Sequence, residues 1–198
     1  MKPIQTIFGG YRFRSRLEAR WAVFLTALGF SWDYEFEGFH LDDGQKYLPD
    51  LRVRTPQGQT MWVEIKPSYV DTDPKFAQFQ KELEGKDRSF LASGDPLEHL
   101  SKVAICPRCG MSEPLETEWI RDVNVNRLKF TEYCFHCDCE TPCGGDNPVQ
   151  ADGVCGVKYQ PHKGDIYVQR DELVVLERKL VAAATKARQA RFEHGEQG

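Results

Sequence analysis

Two runs of sequence decide the fold: Tyr47-Leu48-Pro49-Asp50-Leu51-Arg52-Val53-Arg54 and Thr60-Met61-Trp62-Val63-Glu64-Ile65-Lys66, joined through Pro56-Gln57-Gly58. The second is rich in β-branched and aromatic residues, and a proline–glycine turn lies between the two. The pattern predicts strands over 47–54 and 60–66, paired as a hairpin. Glu64 and Lys66 are two apart, so on a strand they leave the same face, while Ile65 points the other way into a core. Pairing of the two arms brings Asp50 beside Glu64. An otherwise apolar strand rarely carries an acid without using it.

Upstream, Ser15 to Leu28 reads as a helix. Ser15 is its N-cap with Glu18 three residues on, as in a capping box. Leu17, Trp21, Phe24, Leu25 and Leu28 form one apolar face, and Gly29 ends the helix. Residues 31–36 are aromatic-rich and extended. Downstream, 74–84 reads as a helix with Phe76, Phe79 and Leu83 as its stripe, 89–92 and 103–106 as strands, 165–169 as another, and 171 to about 192 as a long Ala-rich helix. The order is helix, three strands, helix, strand, insertion, helix: an α/β chain with a mixed sheet flanked by helices. The expected divisions are a core over 1–105, a cysteine-rich insertion over 106–155, and a strand and long helix over 156–198 that complete the core.

Two carboxylates and an ammonium on one strand face suit phosphodiester hydrolysis. Mg²⁺ prefers oxygen ligands and keeps several waters. A bound cation of this kind lowers the pKa of its water and offsets charge in the transition state, and a nearby lysine can position that water. Glu18 joins the site if its helix packs across the strands. A structural reading of the same residues stands beside this one: Glu18 as a capping residue, Asp50 as a strand-start acid, and Glu64 and Lys66 as a solvated strand face.

Pro49-Asp50, Glu64-Ile65-Lys66 and the upstream Phe13-Arg14-Ser15-Arg16-Leu17-Glu18 together resemble the PD-(D/E)XK nuclease superfamily. Within it they look most like small phage-encoded nucleases and the endonuclease subunit of heteromeric transposases. The likeness covers roughly residues 11–95. It implies a restriction-endonuclease-like core and an Mg²⁺- (or Mn²⁺-) dependent deoxyribonuclease. By the same resemblance Asp50, Glu64, the Ile65 carbonyl and Glu18 are metal ligands, Lys66 assists the attacking water, and all four acidic and basic side chains are catalytic. A non-catalytic DNA-binding adaptor with this fold is the alternative.

All seven cysteines fall at 106, 109, 134, 137, 139, 143 and 155. Cys106-Pro107-Arg108-Cys109 and Cys134-Phe135-His136-Cys137 are two C-x₂-C pairs, the spacing of a tetrahedral structural zinc site in a ribbon-like module. Cys139, Cys143 and Cys155, with His136 or His162, are candidates for a second metal. Clustered cysteines in odd number favour metal ligation in a reducing compartment over a disulfide framework.

The net charge of −4 weighs against an indiscriminate polyanion binder until it is divided. Residues 106–155 hold four basic and nine acidic side chains, so that segment is −5 and the rest of the chain +1. The acidic module is better suited to docking a protein partner than to gripping DNA. Two basic clusters remain for DNA phosphates: Arg12, Arg14, Arg16 and Arg20 near the first helix, and Arg178, Lys179, Lys186, Arg188 and Arg191 on the last. Of the last cluster, Lys186 and Arg188 are the expected DNA contacts. No sequence-reading motif is evident. DNA is the expected partner, with a homodimer as a further candidate. No apolar run or signal-like start is present, so the expectation is a cytoplasmic protein, in the host cytoplasm if phage-encoded, with no membrane partner.

Overall fold

The structure, a computed structural model, describes residues 6–54, 58, 60–68, 73–83, 86–106, 112–114, 122–125, 128–131, 133–134, 139–140 and 170–192. In chain order the described elements are β1 (Thr6–Phe8), β2 (Tyr11–Phe13), α1 (Arg16–Ala27), β3 (Ser31–Tyr34), β4 (Phe39–His40), β5 (Lys46–Tyr47), β6 (Leu51–Arg54), β7 (Thr60–Lys66), α2 (Pro74–Leu83), β8 (Arg88–Ser93), α3 (Pro96–Leu100), β9 (Val103–Ile105), β10 (Ser112–Pro114), β11 (Asp122–Val125), β12 (Leu128–Thr131), β13 (Tyr133–Cys134), β14 (Cys139–Glu140) and α4 (Arg170–Gln189). The protein is mixed α/β. It divides into two compact units, Met1–His99 with Ala182–Gly198, and Leu100–Val181.

In the first unit a four-stranded mixed sheet runs β3-β6-β7-β8. β3, β6 and β7 are antiparallel neighbours, and β8 lies parallel to β7 after the crossover through α2. The predicted hairpin is present in register, Leu51 opposite Val63 and Arg54 opposite Thr60. The predicted first arm is two strands, however. Pro49 cannot donate to a ladder, and the chain breaks at 48–50, leaving β5 to pair with β4. β1 and β2 add a hairpin absent from the sequence-based expectation, turned by Gly9 and Gly10 at φ 57° and 85°. That left-handed region is one that glycine enters without cost.

α1 starts and stops as its sequence dictates. Ser15 is extended (φ −136°, ψ 156°), and its Oγ accepts the Glu18 amide at 3.1 Å while donating to Glu18 Oε1 at 2.7 Å. At the other end Gly29 takes φ 84°, and the Gly29 and Phe30 amides donate to the carbonyls of Thr26 and Leu25. Alternation along β7 then separates two cores. Val63 and its β8 partner Phe90 face α1, where Trp21 meets Phe90 edge-on at 6.1 Å. Trp62 faces the opposite side, in a cluster with Leu41, Tyr47, Phe76, Phe79 and Leu83, which includes the predicted α2 stripe. Burial on this scale contributes roughly 1.5–3 kcal/mol per large side chain, and it locks the register on which the strand-face side chains depend.

The second unit contains a sheet ordered β10-β9-β12-β11, with β9 and β12 parallel. Val103, Ala104, Ile105, Leu128 and Phe130 are buried in it, and buried Glu177 accepts the Leu128 amide at 3.0 Å. Cys106 follows β9 and is buried. Cys134 and Cys139 are opposite each other in the backbone register of β13 and β14. Cys109, Cys137, Cys143, Cys155, His136, His162 and the predicted strand 165–169 lie outside the described residues. The last predicted helix begins at Arg170 and ends at Gln189, so it runs through both units. No helix among the described residues is long and apolar enough to cross a membrane.

Candidate active site

The β6–β7 pairing carries Asp50, just ahead of β6, to the end of β7. Its Oδ2 accepts the Ile65 amide at 2.7 Å, and the side chain is buried. Burial pushes the Asp50 carboxyl up to about 7, and the negative charge of Glu64 adds to the effect. The Ile65 amide opposes it, Glu18 adds a smaller upward push, and Arg14 a small downward one. Asp50 is therefore a buried acid that feels the negative charge of Glu64.

Glu64 is held from two sides. Its Oε2 accepts the Tyr47 hydroxyl at 2.8 Å, and its Oε1 accepts from Lys66 Nζ at 2.9 Å. Tyr47 packs its ring against Phe79 at 4.7 Å, so the apolar core of the α2 side fixes the donor to the carboxylate. Burial and the Glu64 charge drive the Tyr47 phenol far up, and it stays a protonated donor. Lys66 Nζ also reaches Asp73 Oδ2 at 2.8 Å. Burial pulls the ammonium down, but the bonds to Asp73 and Glu64 outweigh it, and Lys66 is held cationic above its usual range. Asp73 in turn caps α2, its Oδ1 accepting the Phe76 amide at 2.9 Å. Against the cost of burial, Lys66 and that amide hold Asp73 below the usual carboxylate range.

Glu18 does not touch Asp50 directly. Its Oε2 accepts the Tyr34 hydroxyl at 2.7 Å, and that hydroxyl oxygen accepts the Arg14 amide at 3.1 Å and Nε at 3.3 Å. Arg14 Nη2 then reaches Asp50 Oδ1 at 3.4 Å and pairs with Glu35. Burial and Glu18 raise the Tyr34 phenol to about 12. A chain of polar contacts thus runs from α1 to the buried carboxylate. Glu18 is both the capping residue and a member of this network.

Of the expected DNA contacts, Arg12 is exposed on β2, and Arg16 and Arg20 are half-buried on α1. Arg14 is half turned inward, toward Asp50 and Glu35. Lys186 is exposed on α4, whereas Arg188 makes a two-pronged pair with Asp95, Nη2 lying 2.8 Å from each oxygen. Tyr47, Tyr34 and Asp73 are site residues that the linear pattern did not single out. Tyr47 is in the same quoted run as Asp50, three residues ahead of it, and that nearness was the available signal. For Asp73 the Asp-Pro start of a helix was the signal.

The donor set can be judged for a cation. Asp50 and Glu64 supply hard oxygens, and the upward push that the Glu64 charge exerts on Asp50 is one a cation between them would relieve. Two carboxylates with a backbone carbonyl suit an ion that keeps most of its waters. Among the described residues no group of three or more His, Cys, Asp or Glu side chains is arranged to hold a metal. Any ion here would rest on the acid pair, not on an all-protein cage. Comparison of the chain with protein families, with characterised proteins and with solved structures gives no match.

Proposed function

We propose that the protein is a divalent-metal-dependent DNA endonuclease that hydrolyses phosphodiester bonds, acting in phage or mobile-element DNA processing or recombination, on a restriction-endonuclease-like core. The observation that carries this reading is the convergence of Asp50, Glu64 and Lys66 at the end of β7, with Asp50 raised to about 7 and Lys66 held 2.9 Å from Glu64. Asp50, Glu64 and the Ile65 carbonyl would hold Mg²⁺, which when bound supplies an activated water and offsets charge on the phosphate. Lys66 Nζ, kept cationic by Glu64 and Asp73, sets a positive charge toward the phosphate oxygens and orients the incoming water. Tyr47 fixes the Glu64 carboxylate by donating to Oε2. Glu18 acts at one remove, through Tyr34 and Arg14. Arg12, Arg16, Arg20 and Lys186 would meet DNA phosphates. The C-x₂-C pairs at Cys106/Cys109 and Cys134/Cys137 would bind a structural zinc, and the acidic segment around them a protein partner.

The test is incubation of linear, circular, single-stranded and branched DNA with Mg²⁺ or Mn²⁺. Cleavage is expected on at least one form and is expected to vanish in Asp50→Ala and Lys66→Ala at unchanged zinc content by elemental analysis. A wild-type chain that binds DNA but cuts none of these would instead be the adaptor. Mutants that cut as well as wild type would remove Asp50 and Lys66 from the chemistry.

A further inference from the structure

Phe36 is a large apolar side chain left on the surface. The residue is 49% exposed, and Arg52 Cζ lies 3.1 Å from the ring centroid, over one face. The guanidinium is itself anchored, donating to Asp33 Oδ2 from Nε at 3.2 Å and from Nη2 at 2.8 Å. Arg54 reaches the same oxygen at 3.2 Å. With one face occupied by a fixed planar cation, the accessible half of the ring is its other face and edge. A cation against an aromatic face stabilises the pair by roughly 0.5–2 kcal/mol and holds the ring in one orientation.

The backbone holds the ring there too. Glu35, the preceding residue, is the one non-glycine residue among those described with positive φ, at 44°. A side chain in that region carries strain, and such strain persists where surrounding contacts over-determine it. Two such contacts are present. The Glu35 amide donates to the Asp50 carbonyl at 2.9 Å, and its carboxylate pairs with Arg14, which also reaches Asp50. The strained residue thus ties the start of the Phe36 segment directly to the buried acid of the candidate site. Arg52 lies opposite Trp62 in the β6–β7 register, and Glu64 and Lys66 leave β7 on the same face as Trp62. A half-open aromatic plane, backed by arginine, therefore lies on the sheet face from which Glu64 and Lys66 project.

We infer that Phe36, backed by Arg52, is a platform on which an unpaired nucleobase stacks beside the scissile phosphate, so that the enzyme favours DNA with an unstacked nucleotide at the cut. This inference rests on the nuclease reading above. Every base has a π-face, so such a platform is indifferent to sequence. It does require the base to be out of the duplex stack, which selects forks, flaps, loops or junction strands over continuous duplex. The neighbouring guanidiniums of Arg52 and Arg54 suit a strand that carries phosphates past the ring.

The test uses the full chain with Ca²⁺ replacing Mg²⁺, and forked DNA carrying 5-iodouracil in turn at each unpaired position near the fork. Irradiation should give a crosslink that maps to Phe36 by mass spectrometry. Phe36→Trp should retain it and Phe36→Leu should lose it. Phe36→Leu should also bind forked DNA about fivefold more weakly, the lower end of base–aromatic stacking, and bind fully paired DNA as wild type does. Far-UV circular dichroism should show the variant folded, since the ring is half exposed. Crosslinks that map elsewhere, undiminished fork binding in Phe36→Leu, or an equal loss on paired and forked DNA would each overturn the platform. Cleavage in Mg²⁺ is scored separately. A chain that never cuts removes the nuclease reading, whereas a chain that cuts while Phe36→Leu keeps its fork affinity removes only the platform.

Discussion

Asp50→Asn should make the metal-free protein more stable, with a gain that opens above about pH 4 and is complete above about pH 7. In the folded chain burial and Glu64 raise the Asp50 carboxyl from 3.8 to about 7. The folded state thus holds this proton more tightly than the unfolded chain. The favourable contribution is complete below about pH 4 and is lost as pH rises through about 7. At about 1.4 kcal/mol per pH unit, that displacement, in which the opposing push of Arg14 is already included, is worth at most about 4 kcal/mol, and about 2–4 kcal/mol is expected. Asparagine keeps an oxygen for the Ile65 amide and carries no charge to bury. Urea unfolding in a chelating buffer should find the two proteins equal near about pH 4, with the variant ahead by that margin at about pH 8. The corresponding midpoint shift on heating is on the order of 10 °C. Ca²⁺ should recover stability in wild type at about pH 8 and not in the variant, because a cation between the acids offsets the same repulsion. A difference that stays flat with pH, or a variant less stable than wild type at about pH 8, would refute the claim that Asp50 is held against an uncompensated charge.

Tyr47→Phe keeps the ring against Phe79 and removes the donor to Glu64, so a loss of about 1–2 kcal/mol is expected in denaturant melts. No change would mean that water replaces the hydroxyl at no cost. Asp73→Ala removes both the α2 cap and a Lys66 partner and should lower stability by about 1–2 kcal/mol. Asp73→Asn preserves the cap and should recover most of that loss in the same assay. Equal losses in the two variants would assign the effect to charge and not to capping.

The parts of the molecule governed by local rules are those that the sequence makes readable. Ser15 and Glu18 form the capping box because their spacing permits nothing else so cheaply. Asp50, Glu64 and Lys66 meet because a two-residue period and a hairpin leave little freedom in where they point. The order of helices and strands around the sheet follows from the same periodicities. Harder to read were features that depend on what packs against what. Tyr47 reaches Glu64 only because the Phe79 cluster seats its ring, and Asp73 reaches Lys66 only because α2 begins where the crossover delivers it. Arg14 looks like any cation near a helix until the fold brings Asp50 and Glu35 to it. The break at Pro49 and the Gly9-Gly10 hairpin were signalled by those residues themselves.

The first unit is made of two pieces of chain, Met1–His99 and Ala182–Gly198. Phe192, from the second piece, meets the ring of Phe8 edge-on at 6.5 Å. The 82 residues between His99 and Ala182 must be made before that contact can form. At ribosomal rates this is a delay of roughly 4–16 s, very long beside the microseconds in which hairpins and helices form. The β-strands that carry Asp50, Glu64 and Lys66 therefore leave the ribosome well before the unit that holds them is complete. Its N-terminal piece must wait for residues 182–198 before the unit can close.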